Sequence, residues 1–500
     1  MAHRPLMAAL GCAGLTALVA LAPAATAQRP APTAPSATAT GRATTSALRI
    51  PFERFTLPNG LTVLLSPDRA APVVAVDVWY HVGSKNERPG RTGFAHLFEH
   101  VMFTGSGHVP YGVHDRLTNG VGGSNNGSTN TDRTNYYQTV PSNYLQTVLW
   151  LEADRMGFLL DKLDSAKFAA QRDVVQNERR QGVDNQPYGR VGEITSAALF
   201  PKGHPYSWPV IGDLRDLQAA ELEDVKQFFR TYYAPNNATL AIVGDFDPDS
   251  AKAWVRRHFG DIPRGPAIAR PTVAPAALAA EKRLTYEDRV QVPRLYLTWP
   301  TVGERSADRY ALDVLGAVLA GPRTARLTKA LVYDRQLAAS VSAFQQGAED
   351  VGTFRVVATP RPGTSLATLE QAIDSIVRRV AAEGPTEAEL ARTKAGLEYD
   401  FVSELESPLG KAETLLAAQV FHGDAAAYQE ELRGLQAVTA DDVRRVAARY
   451  LTNRRLVLSV VPLGKPELAS RPEASTNVTN APLPTSAPTP STSSAKEARP

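Results

Sequence analysis

Apolar and polar positions alternate with period two over residues 61–65 and 73–81, both rich in valine, and this predicts half-buried strands. Residues 294–299 repeat the alternation in the second half of the chain. The runs ATLAIV at 238–243 and LVLSVV at 456–461 are apolar but for Thr239 and Ser459 and read as buried strands. Helical spacing takes over across 145–160, 165–180, 369–382 and 386–404. Strands and helices follow one another without strict βαβ alternation. The expected class is therefore α+β, with helices packed on largely antiparallel sheets.

One stretch of pattern occurs twice. Asp224-Val225 opens a helical segment that closes at Tyr232, and the strand at 238–243 follows; Asp442-Val443, Tyr450 and the strand at 456–461 repeat this at a constant offset. A duplication is expected, with homologous domains at 49–268 and 280–465.

Composition marks off the ends. Residues 1–27 combine a short positive start at His3 and Arg4, an apolar run over 6–21 and the small-residue site Ala25-Thr26-Ala27, the pattern of a cleaved signal peptide. Such a segment predicts export to a periplasmic or extracellular location. Ala, Pro, Thr and Ser dominate 28–48 and 466–500, so a disordered linker and a disordered tail are expected there. No run is long enough for a stable membrane span. The one cysteine, Cys12, lies in the signal, which excludes a disulfide framework and any cysteine ligand or nucleophile in the folded part. Net charge is +3 with no basic stripe, so nucleic acid is excluded as a partner on electrostatic grounds.

The candidate chemistry sits in Thr92-Gly93-Phe94-Ala95-His96-Leu97-Phe98-Glu99-His100-Val101-Met102-Phe103. Thr92 is placed to cap a helix over 93–103, with Gly105 beyond its end. His96 and His100 then project from one face and can share a metal ion. Glu99 lies close enough to act on a water molecule beside that ion without ligating it. This is the inverted form of the helical zinc-protease motif. Neutral imidazoles bind Zn²⁺ well, and a third protein ligand leaves one position open for water. The helical segment 168–180 offers Glu178 and Asp173 as that third ligand. No G-x-S-x-G elbow points to a serine hydrolase, and the glycines at 120–127 lack the Gly-Lys-Ser/Thr of a phosphate loop.

HLFEH at 96–100, VVQNERR ending at Arg180 and DNQPYG after it resemble the pitrilysin/insulinase family of zinc peptidases. The likeness is greatest to the two-domain bacterial members similar to mitochondrial processing peptidase subunits. It extends through NYYQTVPSNYLQTVLWLEADRM, GHPYSWPVIG and YYAPNNATLAIVGDF, over about residues 50–465. The resemblance implies His96, His100 and Glu178 as ligands of one Zn²⁺ per chain, and Glu99 as the general base. It implies two homologous domains forming a clamshell half, and a metalloendopeptidase acting on peptides or unfolded segments. Asn126 and Gly127 would flank a substrate added as a strand to a sheet edge. Gln171 stands where many members carry a supporting glutamate, one charge fewer beside the site.

In the second half, Leu312, Leu315 and Gly316 occupy the positions of His96, Glu99 and His100. That domain is expected to hold no metal. The family's arginine and tyrosine for the substrate carbonyl fall at Val332 and Ala339 here, so the resemblance implies a related partner subunit that supplies the pair in a heterodimer. The alternative is a non-catalytic subunit of such an assembly.

Overall fold

The structure, a computed structural model, describes residues 48–478. The expected signal peptide at 1–27, the linker at 28–48 except its last residue, and residues 479–500 of the tail lie outside the described residues.

Six strands build a first sheet: β1 (Glu53–Thr56), β2 (Thr62–Pro67), β3 (Val73–Tyr80), β4 (Ser124–Thr129), β5 (Thr134–Pro141) and β6 (Ala238–Gly244). Their spatial order is β1-β2-β6-β3-β5-β4. Every ladder is antiparallel except β2 with β6. A second sheet contains β7 (Lys282–Asp288), β8 (Arg294–Val302), β9 (Ala338–Gly347), β10 (Val351–Pro360), β11 (Leu456–Pro462) and β12 (Thr476–Val478), in the order β12-β7-β11-β8-β10-β9. Five strands correspond in order and pairing, β2-β6-β3-β5-β4 with β7-β11-β8-β10-β9, so the repeat seen in one helix–strand unit extends over most of each sheet. The sixth differs, since β1 precedes β2 and pairs with it antiparallel while β12 follows β11 in the chain and pairs with β7 in parallel. The α+β expectation holds, with central strands β6 and β11 buried along their full length.

The helical patterns become helices at Leu145–Phe158, Ser165–Arg179, Leu366–Glu383 and Glu387–Glu404. Local chemistry sets several starts: the side chains of Asp164, Ser365 and Thr386 each accept an otherwise unpaired N–H in the first turn. Each domain also lends a helix to the other. Pro408–His422, from the second domain, covers the outer face of the first sheet, where Phe421 meets Trp79 edge-on at 6.0 Å. Val191–Leu199, from the first domain, packs with Leu284, Tyr286 and Leu458 on the second sheet. No helix among the described residues is long and apolar enough to cross a membrane.

The expected tail boundary needs correction. Residues 466–478 are folded: β12 adds to β7 as a parallel strand, and Ser470 is fully buried. Composition missed this because the anchor is polar. The Glu370 carboxylate, 2% exposed, takes Arg283 at 2.6 Å, Arg455 at 2.8 Å and Arg471 at 2.9 Å, and also bonds the Ser470 hydroxyl. Burial pushes the Glu370 pKa up, but the bonds from Arg283 and Ser470 and the arginine charges outweigh it and hold the group at about 2. Its stabilising contribution is thus complete above its ordinary pKa of 4.5 and is lost as pH falls through about 2. Glu370→Gln, which removes the carboxylate shared by Arg283 and Arg455 but leaves them Glu281 and Asp374, is expected to destabilise the protein by about 1–3 kcal/mol and to flatten the acid limb of stability below pH 4.5. Denaturant titrations across that pH range, with hydrogen exchange of residues 466–478, check both effects.

Candidate metal centre

The helix Phe94–Val101 is buried on one side through Phe94, Leu97, Phe98 and Val101. Phe98 stacks on Phe228 at 5.6 Å and lies 5.1 Å from Tyr233, so the sheet and the helix Leu222–Tyr232 fix its rotation. His96, Glu99 and His100 consequently face away from the core. The two imidazoles lie 4.8 Å apart between centroids and nearly perpendicular. Glu178 arrives from the helix Ser165–Arg179, with its carboxylate 3.7 Å from His96 Nε2 and 3.1 Å from His100 Nε2. One ligand atom from each of the three residues lies within 4.8 Å of the others. Asp173, the other candidate on that helix, is exposed and outside the group. Arg179 fixes the register of Glu178: it is buried, bonds the Gly212 carbonyl at 2.7 Å and pairs with Glu193.

The cap expected from Thr92 is made by another residue. The helix begins at Phe94 behind Gly93, whose φ of 89° lies in the left-handed region. A side chain on Gly93 would stand 2.8 Å from the Ile211 carbonyl, so this crossing requires glycine. The Thr92 hydroxyl instead donates to Asp216 at 2.6 Å and accepts from the Asp213 N–H at 3.0 Å. The first-turn N–H groups are satisfied by Glu87, which accepts from Gly93 at 2.9 Å and Ala95 at 2.8 Å. Burial lifts the Glu87 pKa to about 8 against the opposing pull of these N–H groups. Sequence reasoning missed Glu87 because it lies outside any capping-box spacing and reaches the helix only through an intervening turn.

Glu99 sits beside β4, the outermost strand of its sheet. A Cβ on Gly127 would approach Glu99 Cγ to 3.1 Å, so glycine there makes room for the carboxylate. Burial raises the Glu99 pKa above the ordinary value, opposed by a hydrogen bond with Thr129 and by nearby His100. Asn126 is exposed, and its Oδ1 accepts the Gly127 N–H at 2.9 Å. Both residues proposed to flank a substrate therefore lie on a sheet edge with no neighbouring strand among the described residues, and Gly127 borders Glu99.

The donor set fits zinc: two imidazole nitrogens and one carboxylate oxygen converge, the composition of a three-ligand zinc site. Burial, and then His100, depress the His96 pKa to about 4, leaving its ring neutral with a free electron pair at neutral pH. A second group of acids, Asp132, Glu349 and Asp350, does not fit a metal. The Lys85 ammonium already fills it, at 3.0, 2.6 and 2.9 Å. The second domain has no counterpart to the histidine site. Leu312 and Leu315 are fully buried, and a Cβ on Gly316 would lie 3.2 Å from the Ala343 carbonyl of β9.

Two homologous α+β domains, with a histidine pair four apart on a helix and a glutamate from a second helix, define the class of inverted-zincin metallopeptidases. The chain belongs to the insulinase (M16) peptidase family. Residues 62–207 match "Insulinase (Peptidase family M16)", and residues 219–397 match "Peptidase M16 inactive domain". It is 31% identical to zinc protease PqqE of Helicobacter pylori, over 80% of this chain and 90% of that protein. Identity to the mitochondrial-processing peptidase subunit beta of Lentinula edodes is 24%, over 83% of this chain and 91% of that one. A crystal structure of a Helicobacter pylori protease superimposes with a TM-score of 0.77 at 29% identity, covering 83% of this chain and all of the other.

Glu87→Ala is expected to leave buried first-turn N–H groups unpaired, lowering stability by about 1–3 kcal/mol and loosening the histidine pair. Thermal melts and zinc retention during dialysis against a weak chelator measure the two effects; Glu87→Gln, which keeps an acceptor, should fall between.

Proposed function

We propose that this protein is an exported zinc metalloendopeptidase that cleaves peptides or unfolded segments. The observation that carries the reading is the convergence of His96, His100 and Glu178 with the half-buried Glu99 beside them. His96, His100 and Glu178 hold the Zn²⁺, which when bound supplies Lewis acidity and eases deprotonation of water. Glu99 accepts the proton of the attacking water and delivers it to the leaving amine nitrogen. Its raised pKa suits both halves of that transfer, since a carboxylate nearer neutrality both takes up and releases a proton. The peptide lies along the free edge of β4, past Asn126 and Gly127, where edge main-chain groups offer hydrogen bonds close to Glu99. Intact ligands and base favour catalysis over a silent subunit.

A related partner chain completes the site in this reading. Val332 is packed against the second-domain core, and Ala339 has no donor to offer, so the chain's own silent half contributes no arginine–tyrosine pair. The signal-like segment at 1–27 supports export to the periplasm or beyond.

Glu99→Gln should retain about one zinc per chain while turnover falls by about 10²–10⁴-fold. Metal analysis and cleavage of a quenched peptide library, with and without a candidate partner, test this. Unchanged cleavage by the variant would remove Glu99 from the proton transfer.

A further inference from the structure

A cleft of about 370 Å³ opens between the domains, bounded by Thr131, Tyr206 and Trp208 of the first and by Gly352, Thr353 and Arg355 of the second. Arg355 differs from four other enclosed arginines. Arg155, Arg179, Arg283 and Arg455 each pair with a carboxylate. The Arg355 guanidinium pairs with none among the described residues, and its buried Nε has no hydrogen-bond partner. The one acid on the cleft wall, Glu193, is already engaged by Arg179 and Arg190. Burial pulls the Arg355 pKa down, yet its ordinary value lies so high that the group stays charged. An enclosed cation without a counter-ion is costly, and the cleft leaves space for one beside it.

The cleft also continues the proposed peptide path. β4 ends at Thr129, and Thr131, in the turn that leads on to β5, lines the cleft. An extended peptide advances about 3.3 Å per residue, so a chain laid along β4 past Gly127 reaches the cleft mouth within a few residues. A guanidinium fork matches a carboxylate better than any other side-chain group.

We propose that this cleft is a specificity subsite that takes an aspartate or glutamate side chain of the peptide substrate, with its carboxylate paired to Arg355. The proposal rests on the peptidase reading, and its test does not depend on turnover. Fluorescein-labelled peptides with amidated C-termini, carrying a single Glu or the matched Gln at successive positions, are titrated into full-length Glu99→Gln protein by fluorescence anisotropy. At one position Glu should bind roughly tenfold more tightly than Gln, about one ion pair's worth of discrimination. In Arg355→Met that ratio should fall to one, and Arg355→Lys should keep part of it, which separates a charge effect from misfolding. Absence of any Glu preference, or its persistence in Arg355→Met, overturns the subsite. A wild type that cleaves nothing while the Glu preference stands would instead overturn the catalytic reading alone.

Discussion

The site depends on holding an eight-residue helix in place from outside. Two turns of helix in isolation do not repay the cost of nucleation, so the geometry of His96, Glu99 and His100 must be borrowed from the surroundings. Three sources supply it. Aromatic packing beneath Phe94 and Phe98 fixes rotation about the helix axis. The hydroxyls of Tyr136 and Tyr233 bond the Phe98 and Ala95 carbonyls at 3.2 and 3.4 Å. The Glu87 carboxylate holds the N-terminal N–H groups. Because Gly93 crosses the 211–212 backbone at contact distance and Arg179 bonds Gly212, the same crossing also sets the helix that carries Glu178. Both helices of the candidate metal centre are thus referred to one backbone junction.

The duplication explains how one domain keeps a reactive face while its copy loses it. The two sheets share the order of five strands, and both place a helix against the edge strand, β4 in one and β9 in the other. In the first domain glycine lies on the strand, at Gly127, leaving a gap for Glu99. In the second, glycine lies on the helix, at Gly316, and the helix closes onto β9. Moving the small residue from strand to helix exchanges a polar cleft for an apolar contact without altering topology. The exchanged helices, Pro408–His422 and Val191–Leu199, then make each domain part of the other's core.

Much of this was legible in the chain, and the exceptions share a cause. Period and spacing are local, so the strands, the long helices and the common face of His96 and His100 follow from neighbouring residues. Glu178 was one of two acids on its helix until the family motif singled it out. Glu87, the folded segment 466–478 and Arg355 were not legible. Each depends on a polar group meeting, or failing to meet, a partner far along the chain: Glu87 with the turn before a helix, Glu370 with Ser470, Arg355 with no carboxylate. Hydrophobic pattern carries no record of such encounters.

The two places where acids converge show how the fold separates a clamp from a reactive centre. At Lys85, three carboxylates from both domains surround one ammonium, with His81 and Arg305 adding to Glu349 at 2.6 Å each. Burial alone would push the Glu349 pKa up, but the bonds and charges of His81 and Lys85 hold it at about 2, and the cluster ties the segment after β3 and the β4–β5 turn of one domain to the β9–β10 turn of the other. At His96 and His100 a single carboxylate faces two imidazoles that ligate in their neutral form, and no lysine or arginine fills the gap. A divalent cation in the first place would meet a competitor already bonded to every acid. In the second it would meet two imidazoles and one carboxylate with no cation in its way, and would place a positive charge beside the free edge of β4. That sign is the one a peptide carbonyl needs as negative charge builds on its oxygen, so the separation of the two clusters is itself part of the proposed chemistry.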